Sequence, residues 1–199
     1  VHDRGLQATP GSGARPDKTS IEQYFHNDNA YNRGQPEFVG LLCLQSAVEG
    51  GRSGVASIRA VHNDLLRQHP AALARLYQPF LFDRQKEHAA GEPGAVSAPI
   101  FASDKGELKM RMGLYRLLNA YRCLENELDA EGARAIELLR EVLADPGLCH
   151  NFTMEAGDIQ FVNNLATCHR RTAFIDHPVH KRHLVRLWLR DAGWRGYDG

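Results

Sequence analysis

Short apolar runs and stretches of helical periodicity alternate along this chain, and their order predicts the elements. From Glu37 to Gln45 it reads EFVGLLCLQ, nearly all apolar over a strand's length, which predicts a strand buried on both faces. Glu49-Gly50-Gly51 breaks it. Ile58, Val61, Leu65 and Leu66 then recur at helical spacing behind Ser57, a favourable N-cap. Pro70 ends that helix or opens another carrying Leu73, Leu76 and Tyr77. PFLFDRQ (79–85) returns to strand character, and residues 86–97 read as a polar loop. APIFAS, the turn Asp104-Lys105-Gly106 and ELKMRMG predict a β-hairpin. Residues 115–128 read as helical, though ambiguously. Asp129 caps a further helix through Ile136, Leu139, Val142 and Leu143, which Pro146-Gly147 stops. The end is strand-like: NFTMEA, a Gly157-Asp158 turn, IQFVNN, a loop holding His169, and KRHLVRLWLR.

Strands at both ends with helices inserted between them predict a mainly β fold, a jelly-roll core decorated by helices. Such a barrel has a mouth lined by inward-facing residues. Without repeats or a linker, residues 1–199 read as a single domain, with a Gly-, Pro- and Ser-rich loop across 1–20.

Charge and cysteine usage narrow the function classes. Lys+Arg and Asp+Glu both total 24, so the net charge is zero and no nucleic-acid footprint stands out. No apolar run is long enough to span a bilayer. Val1-His2-Asp3-Arg4 lacks the apolar core of a signal peptide, and the absence of an initial Met marks a trimmed chain or a fragment. Cys43, Cys123, Cys149 and Cys168 form no Cys-x-x-Cys pair, which fits reduced thiols and a cytoplasmic location.

The chemistry concentrates in His26-Asn27-Asp28 and the distant His169. On a strand, residues i and i+2 share a face, so His26 and Asp28 can clasp one ion while Asn27 points away. Two imidazoles and one carboxylate on one side of a metal are the ligand set of non-haem Fe(II) oxygenases. Three protein ligands leave three positions on an octahedral iron, room for a bidentate 2-oxo acid and O2. Arg182 follows His169 by 13 residues, on a strand whose alternation groups Arg182, Leu184, Arg186 and Trp188 on one face. Two arginines on such a face call for anions, and a dicarboxylate co-substrate supplies one. An isolated His-x-Asp is commonplace in surface loops. The ordered set of His-x-Asp, long insert, strand, His and Arg carries the inference. His177, His180 and His183 lack the Cys/His spacing of a zinc site. Cys168 reads as a core or pocket thiol and Trp188 as core. Arg111, opposite Met110 and Met112, faces either the site or solvent.

FHNDNAYNRGQPEFVGLLCLQSAVEGGRS (25–53), IRAVHNDLLRQHP, MEAGDIQFVNNLATCHRRTAFIDHP (154–178) and KRHLVRLWLR (181–190) together resemble the taurine-dioxygenase-like (TauD/TfdA) family of Fe(II)/2-oxoglutarate-dependent oxygenases. The resemblance implies a double-stranded β-helix, with His26, Asp28 and His169 as iron ligands. It implies that Arg182 pairs with the distal carboxylate of 2-oxoglutarate and that Ser53 stands where relatives often bond that carboxylate through a Thr. Arg186 matches a second family arginine, near the iron-bound end of the co-substrate or an anionic substrate group. Phe25 stands where many relatives have Trp, and fewer residues precede the His-x-Asp than relatives usually carry. The implied activity is oxidation, foremost hydroxylation, of a C–H bond in a small molecule by O2, with 2-oxoglutarate converted to succinate and CO2. Asp28 argues against halogenation, which needs that carboxylate position open. The rival reading is a non-catalytic metal- or ligand-binding β-barrel; a zinc hydrolase would need a water-activating base, and none stands out. The expected partners are a small-molecule substrate and O2, with neither nucleic acid nor membrane, in a monomer or homo-oligomer.

Overall fold

The computed structural model describes residues 1–5, 16–32, 34–85 and 87–190. Of the loop expected over 1–20, residues 6–15 fall outside the described residues; Pro16–Lys18 form a single 3-10 turn. In chain order the elements are β1 (Gln23–His26), β2 (Phe38–Gln45), β3 (Glu49–Gly50), β4 (Ser53–Ser57), α1 (Ile58–Gln68), α2 (Pro70–Leu76) and β5 (Pro79–Asp83). There follow β6 (Ala95–Pro99), β7 (Phe101–Asp104), β8 (Glu107–Met110), α3 (Leu114–Cys123) and α4 (Ala130–Ala144). The chain closes with β9 (Cys149–Phe152), β10 (Ile159–Asn163), β11 (Thr167–Arg171), β12 (Phe174–Ile175) and β13 (His183–Leu189).

Two antiparallel sheets form the jelly roll. One has the order β1-β11-β4-β9 and the other β10-β2-β13, so strands from both ends of the sequence lie side by side. The helices sit between β4 and β9 in sequence and close over one sheet. Their starts are set by side-chain caps. Ser57 accepts from the Ala60 N–H at 3.5 Å and Asp129 from the Gly132 N–H at 2.7 Å, each satisfying a donor the first helical turn leaves unpaired. Ile58, Val61 and Leu65 of α1 join Leu73 and Leu76 of α2 and Ile136, Leu139 and Leu143 of α4 in the main core, with Phe80 and Phe82 of β5. A second, smaller cluster, Cys43, Met154 and Leu184, lies under the other sheet.

Several expectations need correction. β2 is buried on one face only: Val39 and Cys43 are enclosed while Leu44 is 47% exposed, because an apolar run does not reveal whether a second layer packs on it. Leu66 and Tyr77 fit the helical spacing yet stand exposed at the edges of the helical stripe. The loop expected over 86–97 gives way at Ala95 to β6, which pairs with β5. The strand expected from NFTMEA ends at Phe152. His169 lies inside β11 rather than in a loop.

Candidate active site

β1 and β11 run antiparallel with His26 opposite His169, and this register brings the two imidazoles together. Their ring centroids are 4.3 Å apart. His26 is the last residue of β1, so Asp28 joins it through the following turn and not by strand alternation. Asn27 does point away, and its amide holds that turn. It donates to the carbonyls of Asn164 at 2.8 Å and Thr167 at 2.9 Å, and accepts from the Met112 N–H at 2.9 Å. Asn164 accepts from the Asp28 N–H at 2.8 Å and donates to the Asp28 carbonyl at 3.0 Å. Arg111 faces neither the metal site nor open solvent: it donates to the carbonyl of Ala30 at 2.7 Å and to that of Asn32. The backbone after Asp28 is thus bolted to the rest of the barrel from three sides.

Asp28 Oδ1 lies 3.5 Å from His26 Nε2 and 3.9 Å from His169 Nε2. One ligand atom from each residue falls within 4.8 Å of the others, and among the described residues no other trio of His, Cys, Asp or Glu is so arranged. The protonation states suit a cation. The Tyr24 carbonyl, 2.8 Å from His26 Nδ1, can only accept, so Nδ1 is the donor there and the ring turns Nε2 toward Asp28. The Gln23 amide, at 3.0 Å, donates to that Nε2. Burial, with His26 nearby, lowers His169 to about 3 against the pull of Asp28, so its imidazole is neutral. Burial alone would raise Asp28, but the charge of Arg186 leads the causes that outweigh it and hold the carboxyl well below its usual range. Two imidazoles and one carboxylate, all largely enclosed, therefore converge on one point.

Next to them is a small cavity of about 40 Å³ with a cationic wall. Arg182, immediately ahead of β13, is 5% exposed; its backbone N–H donates to Asp176 at 2.7 Å. The turn at Gly50-Gly51 makes room for it. Gly51 has φ +64°, and a Cβ there would sit 3.1 Å from Arg182 Nε. Arg171 follows His169 by two residues on β11 and is also 5% exposed; its strand partner is Ser53. Nη1 of Arg182 and Nη1 of Arg171 are both buried without a hydrogen-bond partner, as is Oε1 of Gln160 in the same wall. Burial lowers both guanidinium pKa values, that of Arg171 to about 10, and leaves both charged near neutrality. Buried donors left without a partner are costly unless an acceptor such as a ligand carboxylate meets them.

Residues 1–188 match the family described as "Taurine catabolism dioxygenase TauD, TfdA family". The chain belongs to the TauD/TfdA family. Among its curated relatives, FR-33289 synthase of Streptomyces rubellomurinus is 32% identical over 185 residues, a match covering 90% of this chain and 54% of that protein. L-asparagine oxygenase of Streptomyces coelicolor is 28% identical over 152 residues, covering 75% and 42%. This chain thus spans about half the length of the curated relatives it matches. A crystal structure of asparagine oxygenase with Fe(II), 2S,3S-3-hydroxyasparagine and succinate superposes with a TM-score of 0.71 at 21% identity, covering 93% of this chain and 54% of that one. OrfP with Fe and alpha-ketoglutaric acid gives 0.64 at 16% identity, covering 93% and 54%. The fold is therefore the jelly roll of these oxygenases.

In this TauD/TfdA chain the inward face of β13 contributes more than its arginines. Arg186 donates through Nη1 to Asp28 Oδ1 at 3.2 Å and through Nη2 to Asp17 Oδ2 at 2.9 Å. Burial lowers its pKa, but Asp28 and Asp17 more than reverse that, so it stays charged. Trp188, expected in the core, is half-buried instead, and its indole N–H donates to Asp28 Oδ2 at 2.7 Å. It borders a larger cavity of about 230 Å³ that opens over His26 and Asp28, with Tyr24, Tyr31, Leu114 and Leu118 on other sides. Cys168 is fully enclosed and burial pushes its thiol up to about 12, which makes it a core thiol. His177 and His180 stack on each other, and His177 Nδ1 accepts from the backbone N–H of Val179 at 3.1 Å and of His180 at 3.2 Å. Arg171, Gln160, Asn164 and Gln23 were not singled out from the sequence. For Arg171 a signal existed, two residues after His169, but it is readable only once His169 is placed on a strand.

Proposed function

We propose that the protein is an Fe(II)/2-oxoglutarate-dependent dioxygenase that oxidises, foremost hydroxylates, a C–H bond of a small molecule. The observation that carries this is the adjacency of the His26–Asp28–His169 cluster to a cavity walled by two buried arginines with unpaired donors. The donor set fits iron: nitrogen from two imidazoles and oxygen from one carboxylate. In this reading His26, Asp28 and His169 hold Fe(II), which supplies the capacity to activate O2 and oxidise an inert C–H bond while 2-oxoglutarate loses CO2 to become succinate.

The chain's own residues do the binding and orienting. Arg182 receives the distal carboxylate of 2-oxoglutarate in a charge-assisted pair, and the Ser53 hydroxyl donates to the same group. Arg186 neutralises Asp28 on the iron side of that cavity and offers a cation to an incoming anionic group. Asn27, Asn164 and Arg111 keep the turn carrying Asp28 from moving as ligands enter. The proposed substrate occupies the 230 Å³ cavity, whose size is below the ~300 Å³ of an ordinary drug-sized pocket and suits a molecule of amino-acid size. That matches the hydroxyasparagine and hydroxyarginine seen with its structural neighbours. A cytoplasmic location belongs to the same proposal, supported by four free thiols. No helix among the described residues is long and apolar enough to cross a membrane.

Anaerobic titration with Fe(II) and 2-oxoglutarate tests the reading. A weak visible charge-transfer band should appear, and admitting O2 should yield succinate. Metal binding with neither the band nor succinate would instead favour a non-catalytic binding barrel.

A further inference from the structure

Asp28 has two carboxylate oxygens, and the structure treats them differently. Both imidazole Nε2 atoms approach Oδ1, at 3.5 and 3.9 Å. Oδ2 instead receives the indole N–H of Trp188 at 2.7 Å, the shorter of the two hydrogen bonds that β13 gives to this carboxylate. Asp28 is 3% exposed, so water has little access to replace that donor. Trp188 is itself held in place. It lies opposite the enclosed Val39 on β2 and has the Arg186 guanidinium carbon 5.4 Å from its ring centroid.

We propose that Trp188 is a positioning residue that keeps Asp28 a one-oxygen ligand. The proposal rests on the iron reading above. Indole is a donor only, so it can engage Oδ2 but never compete for the metal. An octahedral ion bound by two imidazoles and one oxygen keeps three positions. With Fe(II) held there, a 2-oxo acid binding through two atoms would take two of them and would leave one for O2. Were Oδ2 free to rotate onto the ion as well, a carboxylate binding through both oxygens would fill that last position. The indole hydrogen bond thus protects a vacancy that the reaction requires. It also fixes the carboxylate plane, the task that hydrogen-bond partners of metal ligands usually perform.

The test uses Co(II), a redox-stable stand-in for Fe(II), on the full chain. Three proteins are compared: wild type, Trp188→Phe, and a protein with benzothienylalanine at 188, in which sulfur replaces the indole N–H and the shape is kept. Thermal melting of the metal-free proteins shows whether Phe has disturbed packing; the isostere keeps the question answerable if it has. In the isostere, Co(II) affinity should shift about 10- to 100-fold, in either direction, the usual size of effect of losing such a partner. The visible d–d spectrum of the residual complex should also change as Oδ2 joins the ion. A role for Trp188 in packing alone would move neither in the isostere. Wild-type affinity or a wild-type spectrum in the isostere overturns the proposal and leaves the metal site standing. Failure of wild-type protein to bind Co(II) overturns both.

Discussion

Arg182→Met separates a binding cation from a structural one. The Arg182 guanidinium is 5% exposed, its Nη1 has no partner, and burial depresses its pKa. Removing an uncompensated buried donor relieves a burden of about 1–3 kcal/mol, and Met keeps much of the side-chain volume. The metal-loaded variant without co-substrate should therefore melt no lower than wild type. With 2-oxoglutarate the order reverses. At about 100 times its dissociation constant a ligand stabilises by about 2.7 kcal/mol, worth roughly 5–10 °C for a domain of this size. Losing a charge-assisted contact to a buried carboxylate costs on the order of 2–5 kcal/mol, a fall in affinity of at least tenfold. At a hundredfold loss the same concentration only equals the new dissociation constant, and stabilisation shrinks to about 0.4 kcal/mol, near 1 °C. Differential scanning fluorimetry with Co(II) in the site and O2 excluded reads both halves. A variant that melts several degrees lower without 2-oxoglutarate, yet keeps the full ligand shift, would mean that Arg182 holds the barrel and not the co-substrate.

The parts legible in the sequence were those set by local rules. Ser57 and Asp129 cap where their residue types said they would, and the alternation of β13 put Leu184, Arg186 and Trp188 on one face as read, with Arg182 buried just ahead of the strand. What failed depended on contacts between distant segments. EFVGLLCLQ looked buried on both faces because apolar content reports what a strand tolerates, not what packs on it. His169 looked like a loop residue because β11 is rich in His and Arg, with only Cys168 wholly apolar; its strand state comes from pairing with β1 and β4 on either side. The same pairing set the His26–His169 contact, which no spacing within either segment could reveal. The residues that fix the site, Asn27, Asn164 and Arg111, act through backbone carbonyls and amides 79 to 140 positions away in the chain. Nothing in their own neighbourhoods marks them. Trp188 was misread for a related reason: an inward aromatic is usually core, and only the position of Asp28 across the barrel gives its N–H a task.

Replacing His26, Asp28 or His169 by Ala should abolish succinate formation and weaken metal affinity at least tenfold by calorimetry; wild-type turnover in all three would sink the iron assignment. Ser53→Ala should raise the 2-oxoglutarate requirement only several-fold, the effect of about 1 kcal/mol, with the substrate requirement unchanged. Arg186→Ala should leave 2-oxoglutarate affinity largely intact but uncouple succinate release from product; the opposite pattern would exchange the roles of the two arginines. Wild-type enzyme supplied with chloride should give no chlorinated product by mass spectrometry, because Asp28 fills the position a halide would need. The metal-free protein should respond to acid through His169. Unfolded, that imidazole takes a proton near 6.5, whereas the folded protein delays uptake to about 3. Between those values the unfolded state binds more protons, so stability falls as pH drops through this window. Replacing His169 by Gln removes the group and should flatten the part of the decline between about 6.5 and 4. Below that, Asp28 adds a fall of the same sign, because its folded pKa also lies beneath its ordinary 3.8. Urea midpoints measured with chelator present across the range would test this, and identical slopes for wild type and His169→Gln would show that the imidazole is not buried in its neutral form.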